Sequence, residues 1–274
     1  MIIDGKKEAE KVLTQLQNIY KNVPKLSLAL IAVGDIKEIG GFIASKKKIA
    51  EKLNVDFRLY QLPNTLSREQ LRHRITQIVR STANGVVVQL PLPDRYDAQY
   101  FLNAIIPEKD VDCLSAKCTG LFFTDKTDVL PPAVETVKYL LKTWNIDIKG
   151  THAVVVGYGA LVGKPTAHFL LKNGATVSVV NSKTSSMLKQ ELLERADIIV
   201  SGVGKAHVVD ACKKGSVIID FGYAREGNTV CGDVDTEKLK NIASFITPTP
   251  GGTGPLLVAM LYQNLRVLKM KNLK

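Results

Sequence analysis

The sequence predicts an α/β protein with room for two domains, and three observations carry that reading. Apolar runs of strand length alternate with amphipathic stretches of helix length through the chain. One such run, Val154–Val156, breaks into glycines and restarts as a helix by Pro165. The length of 274 residues, with 45% hydrophobic and 23% charged composition, suffices for two cores.

Composition also excludes several classes. No apolar run approaches the ~20 residues a membrane helix needs, and Met1–Asp4 lacks the basic start and apolar core of a secretory signal. The expected setting is therefore cytoplasmic, with no membrane partner. Cys113, Cys118, Cys212 and Cys231 form no C-x-x-C pair, and His73, His152, His168 and His207 stand beside no cluster with ligand spacing. Neither a metal site nor a disulfide is expected. A net charge of +11 favours anionic partners, yet aromatic residues make up only 6% and do not interleave with the basic ones. Nucleic acid is not the expected partner; the basic ends, Lys6-Lys7 and Lys269, Lys271 and Lys274, read as solvated helix faces.

Taken in order, residues 5–22 place Ala9, Val12, Leu13, Leu16 and Ile19 at helical spacing, and Pro24 closes the segment. Leu26–Val33 reads as a core strand ending in the turn Gly34-Asp35. In the helix after Gly40-Gly41, Phe42, Ile49 and Leu53 share one sector of a helical wheel with Lys46, which interrupts an apolar face. Lys46 either snorkels from the edge of that face or points into a cleft where desolvation lowers its pKa for proton transfer.

Val55–Leu62 is a second strand, Ser67–Val79 a basic amphipathic helix, and Gly85–Val88 a short buried strand of a parallel sheet. Gln89 follows at the carboxyl end of that strand, where ligands of open α/β sheets bind; the alternative is a Gln that caps backbone groups. Leu90-Pro91-Leu92-Pro93 then forms a stiff lip. Asp97–Ile106 reads as a helix, and Asp110 and Asp112 fall in a charged loop with no third carboxylate at ligand spacing. Ala133–Trp144 is helical and leads into the second domain.

In that domain Val154–Val156 is a buried strand, and Gly157, Gly159 and Gly163 follow in a G-x-G-x-x-x-G spacing. The first two let the backbone turn and approach a phosphate, and the third lets the next helix sit against the strand, as in a Rossmann-type dinucleotide-binding domain. The spacing is one residue longer than the commonest fingerprint, so a glycine-rich turn that binds nothing stays open. Thr176–Val180 ends in Asn181-Ser182-Lys183-Thr184, with no carboxylate for a ribose 2′-hydroxyl, so Ser182 and Lys183 favour NADP over NAD. Asp197–Ser201, Ser216–Phe221 and Phe245–Pro250 continue the alternation. Gly251-Gly-Thr-Gly-Pro255 then permits close backbone approach and opens a last helix over 256–267.

Seven separated motifs together resemble the methylenetetrahydrofolate dehydrogenase/cyclohydrolase family: IIDGK at 2–6, VGD at 33–35 with FIASK at 42–46, GVVVQLPLP at 85–93, PEKDVD at 107–112, VGYGALVGKP at 156–165, NSKT at 181–184 and TPTPGGTGP at 247–255. The resemblance spans nearly the whole chain in order. It implies NADP-dependent oxidation of 5,10-methylenetetrahydrofolate to the methenyl cation and hydrolysis of that cation to 10-formyltetrahydrofolate, with NAD a second possible cofactor and a homodimer the expected assembly. It implies two α/β domains flanking a cleft, a folate-binding catalytic domain of residues 1–130 and 256–274 and a Rossmann-type NADP-binding domain of 131–255. Lys46 would be the proton-transfer residue, Gln89 its positioning partner and Asp110 the pterin anchor. Phe42, Leu90, Pro91, Gly251, Gly252 and Pro255 would line the folate side, and Gly157, Tyr158, Gly159, Val162, Gly163, Ser182, Lys183 and Thr184 the cofactor side.

The chain also departs from the family pattern. Phe42 stands for the usual tyrosine, Ile36–Ile39 for D-P-A-S, Pro131–Val134 for P-C-T-P, Cys113 for the glycine after K-D-V-D, and Tyr158-Gly159 for Arg-Ser. The lost hydroxyl at Phe42 leaves two alternatives: a dehydrogenase with weak or absent cyclohydrolase activity, or a non-catalytic folate- or nucleotide-binding relative.

Overall fold

The computed structural model describes residues 1–37, 39–227 and 229–271, with Lys271 described by its backbone. Glu38 of the Ile36–Ile39 turn, Asn228 and the terminal residues 272–274, basic Lys274 among them, lie outside the described residues. The chain forms two compact units, one of Met1–Glu10 with Ala133–Leu257, the other of Lys11–Pro132 with the residues from Val258 onward. The first ten residues thus fall with the glycine stretch, whereas the sequence reading groups them with 1–130. The reason is backbone pairing: Ile3 N–H donates to the Ile246 carbonyl at 2.9 Å and Gly5 N–H to the Gly251 carbonyl at 2.9 Å.

Helix α1 (Gly5–Tyr20) crosses the unit boundary, and the three-stranded unit continues with β1 (Ser27–Val33), α2 (Gly40–Lys52), β2 (Asp56–Leu62), α3 (Arg68–Val79), β3 (Gly85–Val88), α4 (Ala98–Leu102) and α5 (Ala116–Phe123). The sheet is parallel in the order β2-β1-β3. Central β1 is buried along its whole length, which is why it reads as a continuous apolar run rather than an alternating one. Leu71 and Ile75 of α3 and Phe101 of α4 pack with Ala29, Ile31, Val86 and Val88 of the sheet. Ser67, expected as the first helical residue, is the N-cap of α3 in a reciprocal capping box with Gln70.

The helix expected over Asp97–Ile106 is much shorter. Asp97 caps it, and Ile106 is extended because Pro107 disfavours a helical residue before it. Helix α5 has only eight residues and a mid-helix Gly120, too weak a pattern to predict, and Ser115 caps its start. The apolar face of α2 also differs from the expected one. Its stripe is Ile39, Ile43, Ala50 and Leu53, within about 40° of a common line that Lys46 nearly bisects. Phe42 lies off that stripe and is 41% exposed.

The five-stranded unit contains α6 (Pro132–Thr143), β4 (His152–Val156), α7 (Gly163–Lys172), β5 (Thr176–Val180), α8 (Ser186–Arg195), β6 (Ile198–Ser201), β7 (Val217–Asp220), β8 (Ala224–Glu226), β9 (Thr229–Cys231), α9 (Thr236–Leu239) and β10 (Phe245–Thr247). Helix α10 (Thr253–Lys271) begins here, and the unit boundary falls within it. It starts three residues earlier and ends later than the expected 256–267, so Pro255 sits inside its first turn. The main sheet is parallel in the order β10-β7-β6-β4-β5, the parallel sheet expected of a Rossmann-type domain. Val154, Ile199, Ile218 and Ile246 of successive strands meet in one core. The antiparallel β8–β9 hairpin has arms of only three residues, too short for a sequence pattern to reveal.

Candidate active site

Lys46 is the one cation in the buried stripe of α2, and its partner is the residue at the end of β3. The Lys46 Nζ donates to Gln89 Oε1 at 2.8 Å. Gln89 is only 8% exposed. Its backbone N–H donates to Ile31 O at 2.8 Å and its Nε2 to Leu90 O at 2.8 Å. The second bond fixes the amide so that its oxygen faces the lysine. Leu90 is half-buried and Pro91 exposed, with a cis peptide between them. Burial pushes the Lys46 ammonium below the ordinary lysine range, and the nearby Asp112 carboxylate pulls it partly back.

The lysine's backbone is also held. Tyr262 of α10, fully buried, donates its hydroxyl to the Lys46 carbonyl at 2.7 Å, and Tyr20 of α1 donates to the Tyr262 carbonyl at 2.7 Å. Sequence reasoning missed both, because a tyrosine on a core helix face carries no signal that separates it from packing.

The two aspartates have different jobs. Asp110 is 0% exposed, and its oxygens accept from Leu114 N–H at 3.1 Å and Ser115 N–H at 2.8 Å. That carboxylate is spent on shaping the loop, so it offers no free edge of the kind expected of a pterin anchor. Asp112, partly exposed, is the carboxylate in the field of Lys46. Desolvation pushes it up to about 6, Lys46 opposes that, and Asp110 adds to it. The sequence named the pair and picked the member whose lone pairs the backbone uses.

In the five-stranded unit Gly157 has a φ of +90°, which a side chain would strain, and its N–H donates to Val180 O at 2.8 Å. A Cβ on Gly163 would stand 2.1 Å from the Gly157 carbonyl oxygen, so the start of α7 can lie against the turn only with glycine there. At Gly159 no atom lies within 4 Å of the place a Cβ would take. The N-cap of α7, Val162, makes no side-chain cap, Lys164 N–H donates to Gly159 O at 3.0 Å and Pro165 has no N–H, which leaves Gly163 N–H as the first-turn donor. Open space, the Gly163 N–H and the positive end of the α7 dipole make a place for a phosphate. Tyr158 is 55% exposed, with the Lys164 ammonium 5.6 Å from its ring centroid.

After β5, Lys183 N–H donates to Asn181 Oδ1 at 2.8 Å and Asn181 N–H to Thr184 Oγ1 at 3.0 Å. This turn exposes Ser182 and Lys183 and holds no carboxylate. Gly251, Gly252 and Pro255 fall in the same unit, where Thr253 Oγ1 donates to Asp220 O at 2.7 Å. Among the described residues no cluster of three or more His, Cys, Asp or Glu could hold a metal, and no helix is long and apolar enough to cross a membrane.

Known proteins resemble this chain in sequence and in fold. The model of the tetrahydrofolate dehydrogenase/cyclohydrolase catalytic domain matches residues 3–112, and that of the family's NAD(P)-binding domain matches residues 131–273. The bifunctional protein FolD of Bacillus subtilis (strain 168) is 37% identical over 271 residues, covering 96% of this chain and 95% of that protein. The crystal structure of the bifunctional FolD methylenetetrahydrofolate dehydrogenase/cyclohydrolase from Campylobacter jejuni superposes with a TM-score of 0.92 at 32% identity, covering 99% of each chain. The Trypanosoma brucei FolD enzyme, crystallised with NADP and an inhibitor, superposes with a TM-score of 0.93 at 29% identity over 100% of this chain and 98% of that one. With both family domains matched in order along a lysine–glutamine site and a glycine cradle, the chain belongs to the tetrahydrofolate dehydrogenase/cyclohydrolase family.

Proposed function

We infer that this protein oxidises 5,10-methylenetetrahydrofolate to 5,10-methenyltetrahydrofolate with NADP and hydrolyses the product to 10-formyltetrahydrofolate. The observation that carries this reading is the half-buried Lys46–Gln89 pair at 2.8 Å with Asp112 in its field, an arrangement suited to proton transfer.

The residues of the cradle fit a dinucleotide. The gap above Gly159 and the uncapped start of α7 would receive the pyrophosphate, and Ser182, Lys183 and Thr184 would meet a 2′-phosphate. Bound there, NADP supplies the hydride acceptor for the first step. NAD lacks the group that Lys183 would bind and is the weaker fit.

The second step is the work of the lysine. Water adds to the electrophilic methenyl carbon and must lose a proton; later the bond from that carbon to N5 breaks, and N5 gains one. Neutral Lys46, favoured by burial, takes the first proton and returns it to N5, while the remaining hydroxyl proton goes to solvent. Gln89 aims the amine by offering it only an oxygen. Asp112, rather than Asp110, pairs with the amino-pyrimidinone edge of the pterin. Phe42, one turn before Lys46 and exposed, packs on the folate ring, as do Leu90 and Pro91. A homodimer in the cytoplasm completes the proposal, supported by the family resemblance.

The test is an assay of purified protein with methylenetetrahydrofolate and NADP, read by methenyl absorbance and by formation of 10-formyltetrahydrofolate. Absence of turnover with both NADP and NAD rejects the proposal. Phe42 favours a second version in which oxidation is intact and hydrolysis slow. Methenyltetrahydrofolate supplied directly separates the two, since Lys46-dependent hydrolysis well above the spontaneous rate excludes the second.

A further inference from the structure

Asp233 is fully buried in the five-stranded unit, in the loop after β9, and lies outside every site described above. Four donors converge on it. Ser201 Oγ donates at 2.6 Å and Val203 N–H at 2.6 Å to one oxygen, and Gly204 and Lys205 N–H donate at 2.9 Å each to the other. Three consecutive amides from a loop are therefore held by one carboxylate reached from 28 or more residues away in sequence.

That loop leaves the carboxyl end of β6, beside β4 in the sheet, where open α/β sheets bind their ligands. It also packs on the glycine turn: the place a Gly157 Cβ would take is 2.9 Å from Val203 Cγ2, and that of a Gly202 Cβ is 2.7 Å from Val162. Asp233 is itself seated. Asp220 Oδ1 accepts from Gly222 N–H at 2.7 Å and from Asp233 N–H at 3.3 Å, and Oδ2 accepts from Val234 N–H at 3.1 Å. A run of hydrogen bonds thus leads from Thr253, which donates to the Asp220 carbonyl at 2.7 Å, through both aspartates to the wall of the cradle.

We propose that Asp233, seated by Asp220, is a positioning residue that fixes the Gly202–Lys205 loop as one wall of the dinucleotide site and so sets affinity for NADP without taking part in folate hydrolysis. The proposal rests on the reading of the glycine turn as that site. An asparagine in its place presents one oxygen and one NH₂ group, leaving backbone N–H donors facing a donor and the loop free to move.

The experiment uses the full chain with Asp233→Asn and Ser201→Ala, NADP titrated by calorimetry, and both activities assayed. For Asp233→Asn the expected result is at least a tenfold rise in Kd and KM for NADP. Its kcat at saturating NADP, its KM for methylenetetrahydrofolate and its hydrolysis of methenyltetrahydrofolate should stay within about twofold of wild type. Ser201→Ala, which removes one of four donors, should raise the NADP Kd about threefold; if the Asp233 variant fails to fold, this variant alone decides. Unchanged NADP affinity in the folded variants overturns the proposal, and so does a loss of hydrolysis in parallel with affinity. Should wild type itself bind no dinucleotide, the cradle reading fails first, an outcome distinct from wild type and variant binding equally.

Discussion

Residue chemistry decides between two aspartates that differ by two positions. Asp110 and Asp112 are equivalent as letters in a charged loop, and which one is available depends on where the chain turns next. Cys113, with a φ of +53°, folds the backbone so that the amides of Leu114 and Ser115 point back at Asp110. Asp110→Asn should therefore act mainly on stability, lowering the denaturation midpoint by the equivalent of about 1–3 kcal/mol for a damaged buried network. Asp112→Asn should raise stability above about pH 6, where the folded chain otherwise holds a desolvated carboxylate, and move the pH dependence of hydrolysis. With the carboxylate gone, the charge that raises the Lys46 pKa is lost while desolvation remains, so the limb of the rate profile that reports Lys46 shifts to lower pH. A limb that stays put, measured with methenyltetrahydrofolate as substrate, would mean that the two groups do not interact.

At the scale of elements, the strands were legible because their burial is simple. Leu26–Val33 and Gly85–Val88 are apolar throughout, as buried parallel strands must be, and their observed bounds differ by a residue at most. Helix α2 was less legible. Its wheel admits two apolar sectors, one through Phe42 and Ile49 and one through Ile43 and Ala50, and only tertiary packing chooses the second. That choice is what moves Lys46 from the edge of a face to its middle. The hydroxyl of Tyr262, invisible to pattern reading, then pins α2 at the Lys46 carbonyl. Tyr262→Phe keeps the ring and removes only that bond. We expect kcat for hydrolysis to fall about 3- to 10-fold with little change in KM for the folate, a loss of order 1 kcal/mol in positioning. An equal fall in the dehydrogenase rate, or a higher KM alone, would assign Tyr262 to general packing instead.

For the whole molecule, the cradle's glycines could be read from sequence because backbone geometry demands them, whereas the Asp220–Asp233 network could not, being assembled from three loops far apart in the chain. That network carries a pH signature. Burial pushes Asp220 up to about 7, with repulsion from Asp233 adding to it and the amides of Gly222, Val234 and Asp233 opposing it. Its ordinary value, 3.8, holds in the unfolded chain, so between about 4 and 7 the folded state keeps a proton that the unfolded state has released. Unfolding free energy then falls as pH rises through that window and levels off above it. Asp112, raised to about 6, adds to the same slope. Lys46, lowered from 10.5, works in the opposite sense, between its folded value and 10.5. Comparison of wild type with Asp220→Asn isolates the Asp220 share. Urea unfolding at pH 5, 6, 7 and 8 should show wild type losing stability with rising pH, by a few kcal/mol in all, and the variant losing distinctly less. Parallel curves for the two proteins would mean that Asp220 is ionised in the folded state throughout, and that its three backbone donors outweigh its burial.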